Sequence, residues 1–181
     1  MLQIYRCLTI FFFPFAQLLI FCRVIFNKED KMNELQTLVT LFDNYSSSNG
    51  FVFAHGTRAF TNLKTNEATT NKFLHLYDMD IVPVKQGELY LNLANFRGTF
   101  FMGMKSIISE TFYQGNNDPS GLNYRFEKYF VPLYDDMVTF ISQLNNCSEI
   151  DLTVSQITKR VNYMDANMDG YLIDFTANLD V

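Results

Sequence analysis

Acidic, amide and imidazole side chains concentrate at three places in this chain, and chemistry is expected there first. One is the segment Asp165–Tyr171, in which carboxylate and amide side chains alternate with apolar ones. Another is the pair Asp78 and Asp80, since carboxylates one residue apart can share a Mg²⁺ or Mn²⁺ ion. The third is His55-Gly56-Thr57. The chain has 2 histidines, this one and His75, so an imidazole general base must be one of the two.

The segment Asp165–Thr176 resembles the calcium loop of the EF-hand family. The resemblance implies oxygen ligands at loop positions 1, 3, 5 and 7, here Asp165, Asn167, Asp169 and the Tyr171 carbonyl, with Gly170 allowing the sharp turn at position 6. Position 12 holds a bidentate glutamate in the family but is Thr176 here. We therefore expect weak calcium binding, with a dissociation constant of roughly 10⁻⁴–10⁻³ M.

The His55-Gly56-Thr57 motif follows the apolar run Phe51–Ala54. It resembles the first motif of the ADP-ribosyltransferases related to diphtheria toxin and the poly(ADP-ribose) polymerases. That resemblance implies NAD as a cofactor, with the His55 imidazole at a ribose hydroxyl and the Gly56 backbone at the nicotinamide amide. A catalytic glutamate should follow on a later strand, yet Glu127 and Glu149 both fall in helical patterns. The alternative is a strand-end histidine bonded to nearby backbone.

The sequence around Asp78 and Asp80 resembles the Asp-x-Asp box of glycosyltransferases, which bind a sugar nucleotide through a divalent metal. Both carboxylates would lie on one face of a single strand, which suits either metal binding or simple solvation. Too few residues separate Met32 from the pair for the nucleotide-binding half that should come before this motif. A metal-dependent glycosyltransferase fragment is therefore the third functional hypothesis.

The first 31 residues allow three interpretations. The uncharged stretch Leu8–Cys22, preceded by Arg6, has the length of a signal-peptide apolar region but is short for a membrane span. Alternatively, Lys28–Met32 can be encoded by a purine-rich ribosome-binding site followed by a start codon, which would make Met32 the true start. A core helix is the third interpretation. The protein is secreted or membrane-anchored if residues 1–31 are real, and otherwise a cytoplasmic protein or an exported effector.

The composition limits which classes of partner the protein is expected to bind. Hydrophobic residues make up 48% of the chain and aromatic ones 16%, which is enough for a packed core. The formal net charge is −5 and no Lys/Arg stripe is present, so the sequence argues against nucleic-acid binding. The 3 cysteines indicate neither a disulfide framework nor a zinc site. The expected partner is an unidentified protein, with a membrane involved only if residues 8–22 are a retained anchor.

Hydrophobic periodicity predicts helices at both ends of the chain and strands between them. The predicted helices are Met32–Tyr45, a short one at Ser106–Tyr113, Tyr124–Leu144 and Thr153–Met164, and the predicted strands are Phe51–Ala54, Phe73–Val84, Glu88–Leu93 and Gly98–Met104. This order favours an α+β fold with a small central sheet. The expected organisation is an apolar or leader segment at 1–31, an α+β domain at 32–150 and an EF-hand-like helix-loop at 151–181. The leading functional hypothesis is a calcium-binding interaction protein, with an ADP-ribosyltransferase-like protein as the alternative.

Overall fold

The computed structural model describes residues 34–67, 71–86, 89–107, 125–147 and 150–179. These residues form six strands and three helices, the third entered through a π-helical turn at Phe126–Phe130. In chain order the elements are α1 (Glu34–Asn49), β1 (Val52–His55), α2 (Arg58–Glu67), β2 (Lys72–Leu76), β3 (Asp80–Gln86), β4 (Leu89–Lys105), α3 (Val131–Asn145), β5 (Ile150–Tyr163) and β6 (Met168–Leu179).

The six strands form one mixed sheet in the order β1-β2-β4-β6-β5, and β3 also pairs with β4. Only the β1–β2 pair is parallel among the described strands. The central strands β4 and β6 pair along twelve residues, from Ala94–Leu179 to Lys105–Met168. This long antiparallel pair fixes which side chains share a face, because side chains alternate along each strand.

Helices α1 and α3 cover one face of the sheet, which we call the core face. Phe42 of α1 and Phe140 of α3 meet with ring centroids 4.8 Å apart, and Phe140 lies 5.5 Å from Phe100 of β4. Both contacts are edge-to-face, the arrangement that the ring quadrupole favours. Phe175 of β6 joins the same buried cluster. The high aromatic content of the sequence is thus used to fill the space between two helices and the sheet.

The opposite face, called the second face, is only partly covered by α2. A smaller buried cluster of Phe73, Phe101 and Met168 lies here. His75 is buried on the same face and bonds to α2 through Thr65, whose Oγ1 lies 3.1 Å from His75 Nε2. The remainder of this face carries the polar side chains of β4 and β6 that are described below.

The α+β fold class is confirmed, but the helix predicted over Thr153–Met164 is wrong, because these residues belong to β5. An i, i+4 spacing such as that of Ile157 and Val161 keeps two residues on one face of a strand as well as of a helix. A β-bulge between Val154 and Gln156 also shifts the two-residue alternation. The abundant β-branched residues were the better indicator. The C-terminus is therefore a β-hairpin rather than an EF-hand helix-loop.

The other predicted elements within the described residues are found with shifted ends, except that Glu88–Leu93 and Gly98–Met104 belong to the single strand β4. Helix α2 and strand β6 were not predicted, and residues 108–113 of the predicted helix Ser106–Tyr113 lie outside the described residues. The predicted strand Phe73–Val84 divides into β2 and β3, and α3 begins at Val131 with Pro132 in its first turn, where proline fits. The interpretations of residues 1–31 lie outside the described residues.

Cys147 is disulfide-bonded, while the other two cysteines of the sequence lie outside the described residues. The absence of a disulfide framework stays a prediction, because a single bonded cysteine is not a framework.

Candidate ligand-binding pocket

A pocket of about 800 Å³ lies on the second face, between the start of α2, the beginning of β3 and the middle of β4 and β6. Pockets that hold small molecules span roughly 300–1,000 Å³. Five charged side chains line it, together with several hydroxyl groups and aromatic rings. The charged residues are Arg58, Asp78, Asp80, Arg97 and Asp174.

The floor of the pocket is built by two register pairs of the central strands. Arg97 pairs with Thr176, and Thr99 pairs with Asp174, so all four side chains emerge on the second face. Thr99 Oγ1 donates a hydrogen bond of 2.6 Å to Asp174 Oδ1. This bond fixes the orientation of the Asp174 carboxylate and leaves its other oxygen for a further donor.

The two arginines of the pocket have no ion-pair partner among the described residues. The Arg58 guanidinium lies over the ring of Tyr163, with Cζ 4.4 Å from the ring centroid, a cation–π contact that holds it in place. Arg97 projects from the middle of β4. A guanidinium offers a planar set of donors that matches a carboxylate or a phosphate. Each of the two arginines is therefore suited to bind an anionic group of a ligand.

Tyr77 closes the pocket on the side of β2. Its backbone N–H donates to the Thr99 carbonyl at 3.0 Å, which anchors the residue to β4. Burial, followed by the neighbouring Tyr163 hydroxyl, raises the pKa of Tyr77, so the phenol is neutral at physiological pH. Its buried hydroxyl has no partner with hydrogen-bond geometry in the described part of the chain, although Thr61 and Tyr163 are close enough to affect its pKa.

Asp78 and Asp80, the carboxylate pair identified in the sequence, both line this pocket. They do not lie in the same strand. Asp78 lies in the connection after β2, whereas Asp80 is the first residue of β3 and pairs with Arg97 in β4. Among the residues described, no group of three His, Cys, Asp or Glu side chains is placed to hold a metal ion. A metal-bound sugar nucleotide at this pair stays a prediction.

His55 and Gly56 both bond to a single carbonyl. The His55 Nδ1 lies 3.0 Å from the Leu76 oxygen, and the Gly56 N–H donates to the same oxygen at 3.0 Å. Since a carbonyl only accepts, Nδ1 carries the proton and donates. Gly56 has a φ of +126°, which glycine tolerates, and it connects β1 to the pocket residues Thr57 and Arg58. The motif therefore has a structural role at the rim, and its binding of NAD stays a prediction.

The predicted calcium ligands are engaged in separate bonds. Both carboxylate oxygens of the buried Asp169 accept from Arg125, at 2.7 and 2.8 Å. Asp165 Oδ2 accepts from the Asn62 amide at 2.6 Å, on the exposed side of the turn. The Asn167 carbonyl accepts from both the backbone and the hydroxyl of Ser106, at 2.9 and 2.8 Å. A calcium ion at Asp169 would have to displace a guanidinium.

Gly170 lies in an extended strand and has no positive φ. A Cβ at this position would collide with the Met102 carbonyl and lie 2.6 Å from the Gly103 Cα, so glycine is needed for close strand approach rather than for a turn. The Tyr171 hydroxyl donates to the Phe130 carbonyl at 3.2 Å. Thr176 lies seven residues along the strand from Asp169, about 23 Å at the usual rise. It therefore lies in the pocket, far from the turn.

Sequence reasoning missed Arg58, Arg97 and Thr99 as site residues. For the two in β4 a signal was present, because Arg97 and Thr99 alternate with the buried Phe96 and Phe100. The polar face of a strand with one buried face is normally solvated, so this pattern alone does not indicate a pocket. Recognising the site required the tertiary contact that brings α2 and β3 next to it.

No protein-family model matches this chain, and no curated protein is similar to it in sequence. Among the described residues, the longest and most apolar helices fall short of what a membrane crossing requires.

Proposed function

We propose that this chain is a binding protein for a small organic molecule that carries both an anionic group and hydroxyl or amino groups. One observation carries the proposal: two guanidinium groups without ion-pair partners in the described residues line the same pocket as three carboxylates. The proposal agrees with the leading hypothesis from the sequence that the protein is a binding protein, but its ligand is an organic molecule instead of calcium.

The charged residues suggest which groups of such a molecule each one binds. Arg58 and Arg97 bind its carboxylate or phosphate through charge-assisted hydrogen bonds, each worth roughly 1.5–3 kcal/mol. The carboxylates of Asp78, Asp80 and Asp174 accept from its hydroxyl or amino groups. Leu172 supplies apolar contact for the carbon skeleton.

NAD and sugar nucleotides belong to this chemical class, since both combine phosphates with ribose or hexose hydroxyls. The glycosyltransferase hypothesis, with a sugar nucleotide at Asp78 and Asp80, is a special case of the proposal, whereas the NAD hypothesis relies on His55 and Gly56, which are not among the residues that line the pocket. Glutamate and glucose 6-phosphate are simpler members, and glucose is a neutral counterpart that lacks the anion.

The test is a thermal-shift and calorimetric screen of the full chain with glutamate, glucose 6-phosphate, NAD and glucose. We expect at least one anionic probe to bind, and the double variant Arg58→Gln/Arg97→Gln to weaken that binding by about a hundredfold or more, as two lost charge-assisted bonds imply. Lys64→Gln, at an exposed cation of α2 outside the pocket, is the matched control and should leave affinity unchanged. Binding that survives the double variant, or a screen in which no anionic probe binds, contradicts the proposal.

A further inference from the structure

Strand β5 forms one edge of the sheet. Among the described strands, β5 pairs with β6 on one side and with none on the other. It is fourteen residues long, from Ile150 to Tyr163. A long edge strand presents a row of backbone donors and acceptors to a further strand. Ile157 and Val161 are 45% and 40% exposed, so β5 also offers apolar side chains to a partner.

We propose that β5 pairs antiparallel with β5 of a second copy of this chain, forming a symmetric dimer with a continuous sheet. The register that we infer places Asp151 opposite Arg160 of the second copy, and by symmetry Arg160 opposite Asp151. Both residues are exposed, and neither has an ion-pair partner among the residues described. The same register places Thr153 opposite Thr158, and Val154 opposite Ile157.

The β-bulge in β5 makes this register self-consistent. Asp151 pairs with Asn178 and Arg160 with Gly170 in β6, so both project on the second face although nine residues separate them. In a regular strand, residues nine apart would point to opposite faces. The extra residue between Val154 and Gln156 removes that mismatch, and Val154 and Ile157 both share the core face through Phe175 and Ile173. The proposed two-fold axis passes through the bulge.

Charged residues on an edge strand usually prevent strand addition. Here Arg160 is neutralised by the Asp151 carboxylate of the second copy. Lys159 is held on its own chain, with its ammonium 5.5 and 5.3 Å from the ring centroids of Phe126 and Phe130. An exposed apolar stripe on α3, formed by Val131, Tyr134 and Val138, extends the surface, since Tyr134 contacts Tyr171 beside β5.

Sedimentation equilibrium of the full chain, from about 1 to about 100 µM, tests the proposal. The wild type should be dimeric in this range. Asp151→Arg and Arg160→Asp each place like charges opposite each other twice, and each should raise the dimer dissociation constant about tenfold or more. The double charge swap Asp151→Arg/Arg160→Asp recreates both ion pairs and should restore dimerisation to within about threefold.

Two controls keep the test decisive. Ile157→Lys should weaken the dimer with an unchanged circular dichroism spectrum, since this side chain is exposed in the single chain. Lys64→Asp, on α2, should leave the association unchanged. A wild type that is monomeric at about 100 µM, as expected if another segment of the same chain covers β5, overturns the proposal. A double swap that stays as weak as the single variants also overturns it, because the contact between copies would then lie elsewhere.

Discussion

The guanidinium of Arg125 binds both carboxylate oxygens of Asp169, with Nε 2.8 Å from Oδ2 and Nη2 2.7 Å from Oδ1. The pair is buried, with side-chain exposures of 5% and 0%. Arg125 also donates to the Asn162 side chain at 2.6 Å, and the Asn162 backbone donates to Asp169 at 3.0 Å. Arg125, which directly precedes the π-helical turn, thereby holds the two strands of the β5–β6 hairpin together.

We expect Arg125→Met to lower the free energy of unfolding by about 3–5 kcal/mol, because it leaves the Asp169 carboxylate buried without a counter-charge. Adding Asp169→Asn should recover part of that loss, since the remaining group is neutral. Urea denaturation measures both effects. Lys64→Met, at an exposed cation, is the control and should change the free energy by less than about 1 kcal/mol. Equal losses for Arg125→Met and Lys64→Met would show that the buried pair does not stabilise the hairpin.

The burial of His75 predicts that the free energy of unfolding decreases at acidic pH. Thr65 donates its hydroxyl proton to the Thr61 carbonyl, so His75 Nε2 must be the donor to Thr65. Nδ1 is then an unprotonated acceptor with no partner among the described residues. Burial lowers the pKa of His75 from 6.5 to about 4. Between pH 6.5 and pH 4 the unfolded chain binds a proton that the folded chain does not, so stability falls as the pH decreases through this window.

The full shift corresponds to about 3 kcal/mol of stability that is present above pH 6.5 and lost by pH 4. His75→Leu removes the titrating group and leaves the Thr65 hydroxyl bonded to Thr61. We expect the difference in unfolding free energy between wild type and His75→Leu to change by this amount between pH 7 and pH 4. Denaturant titrations at both pH values measure it. A pH-independent difference would mean that the pKa of His75 is the same in the folded and the unfolded chain.

Calcium binding at the β5–β6 turn can be tested with the substitution that would complete an EF-hand loop. In such a loop, Thr176→Glu supplies the missing bidentate ligand and tightens binding about tenfold. In this fold Thr176 points into the pocket, about 23 Å along the strand from Asp169. We therefore expect Thr176→Glu to leave the calcium affinity unchanged, as measured by calorimetry at millimolar calcium. A tenfold gain would show that the segment closes into a calcium loop.

Sequence patterns predicted the α+β class, because the helices α1 and α3 and the strand β1 carry clear local periodicity. They did not predict β5, where Ile157 and Val161 fit a helix and a strand equally well and the bulge obscures the alternation. Composition placed Asp169 in a metal site, but the partner that occupies its carboxylate is forty-four residues away in sequence. A contact of that kind depends on the assembled sheet, and no local spacing encodes it.

The same limit applies to the pocket. Asp78 and Asp80 stand out as neighbouring carboxylates, whereas Arg58, Arg97 and Asp174 come from three separate elements. Each is unremarkable in its own segment: an arginine at a helix start, and polar residues on the solvated face of a strand. Their convergence follows from strand order, with β4 between β2 and β6, and strand order was not accessible from the sequence.

The most direct test of the binding proposal follows the methyl signals of Thr99, Leu172 and Thr176 by NMR while glutamate, glucose 6-phosphate or NAD, whichever binds in the screen, is added. These three residues line the pocket, whereas Val131 and Val138 lie on the exposed side of α3 and serve as internal controls. We predict that the pocket methyl signals shift and saturate below about 10 mM ligand, a weak affinity near 3–4 kcal/mol, while the α3 signals stay in place. Pocket methyl signals that do not move, or that move only together with those of α3, would contradict the assignment of this pocket as the binding site.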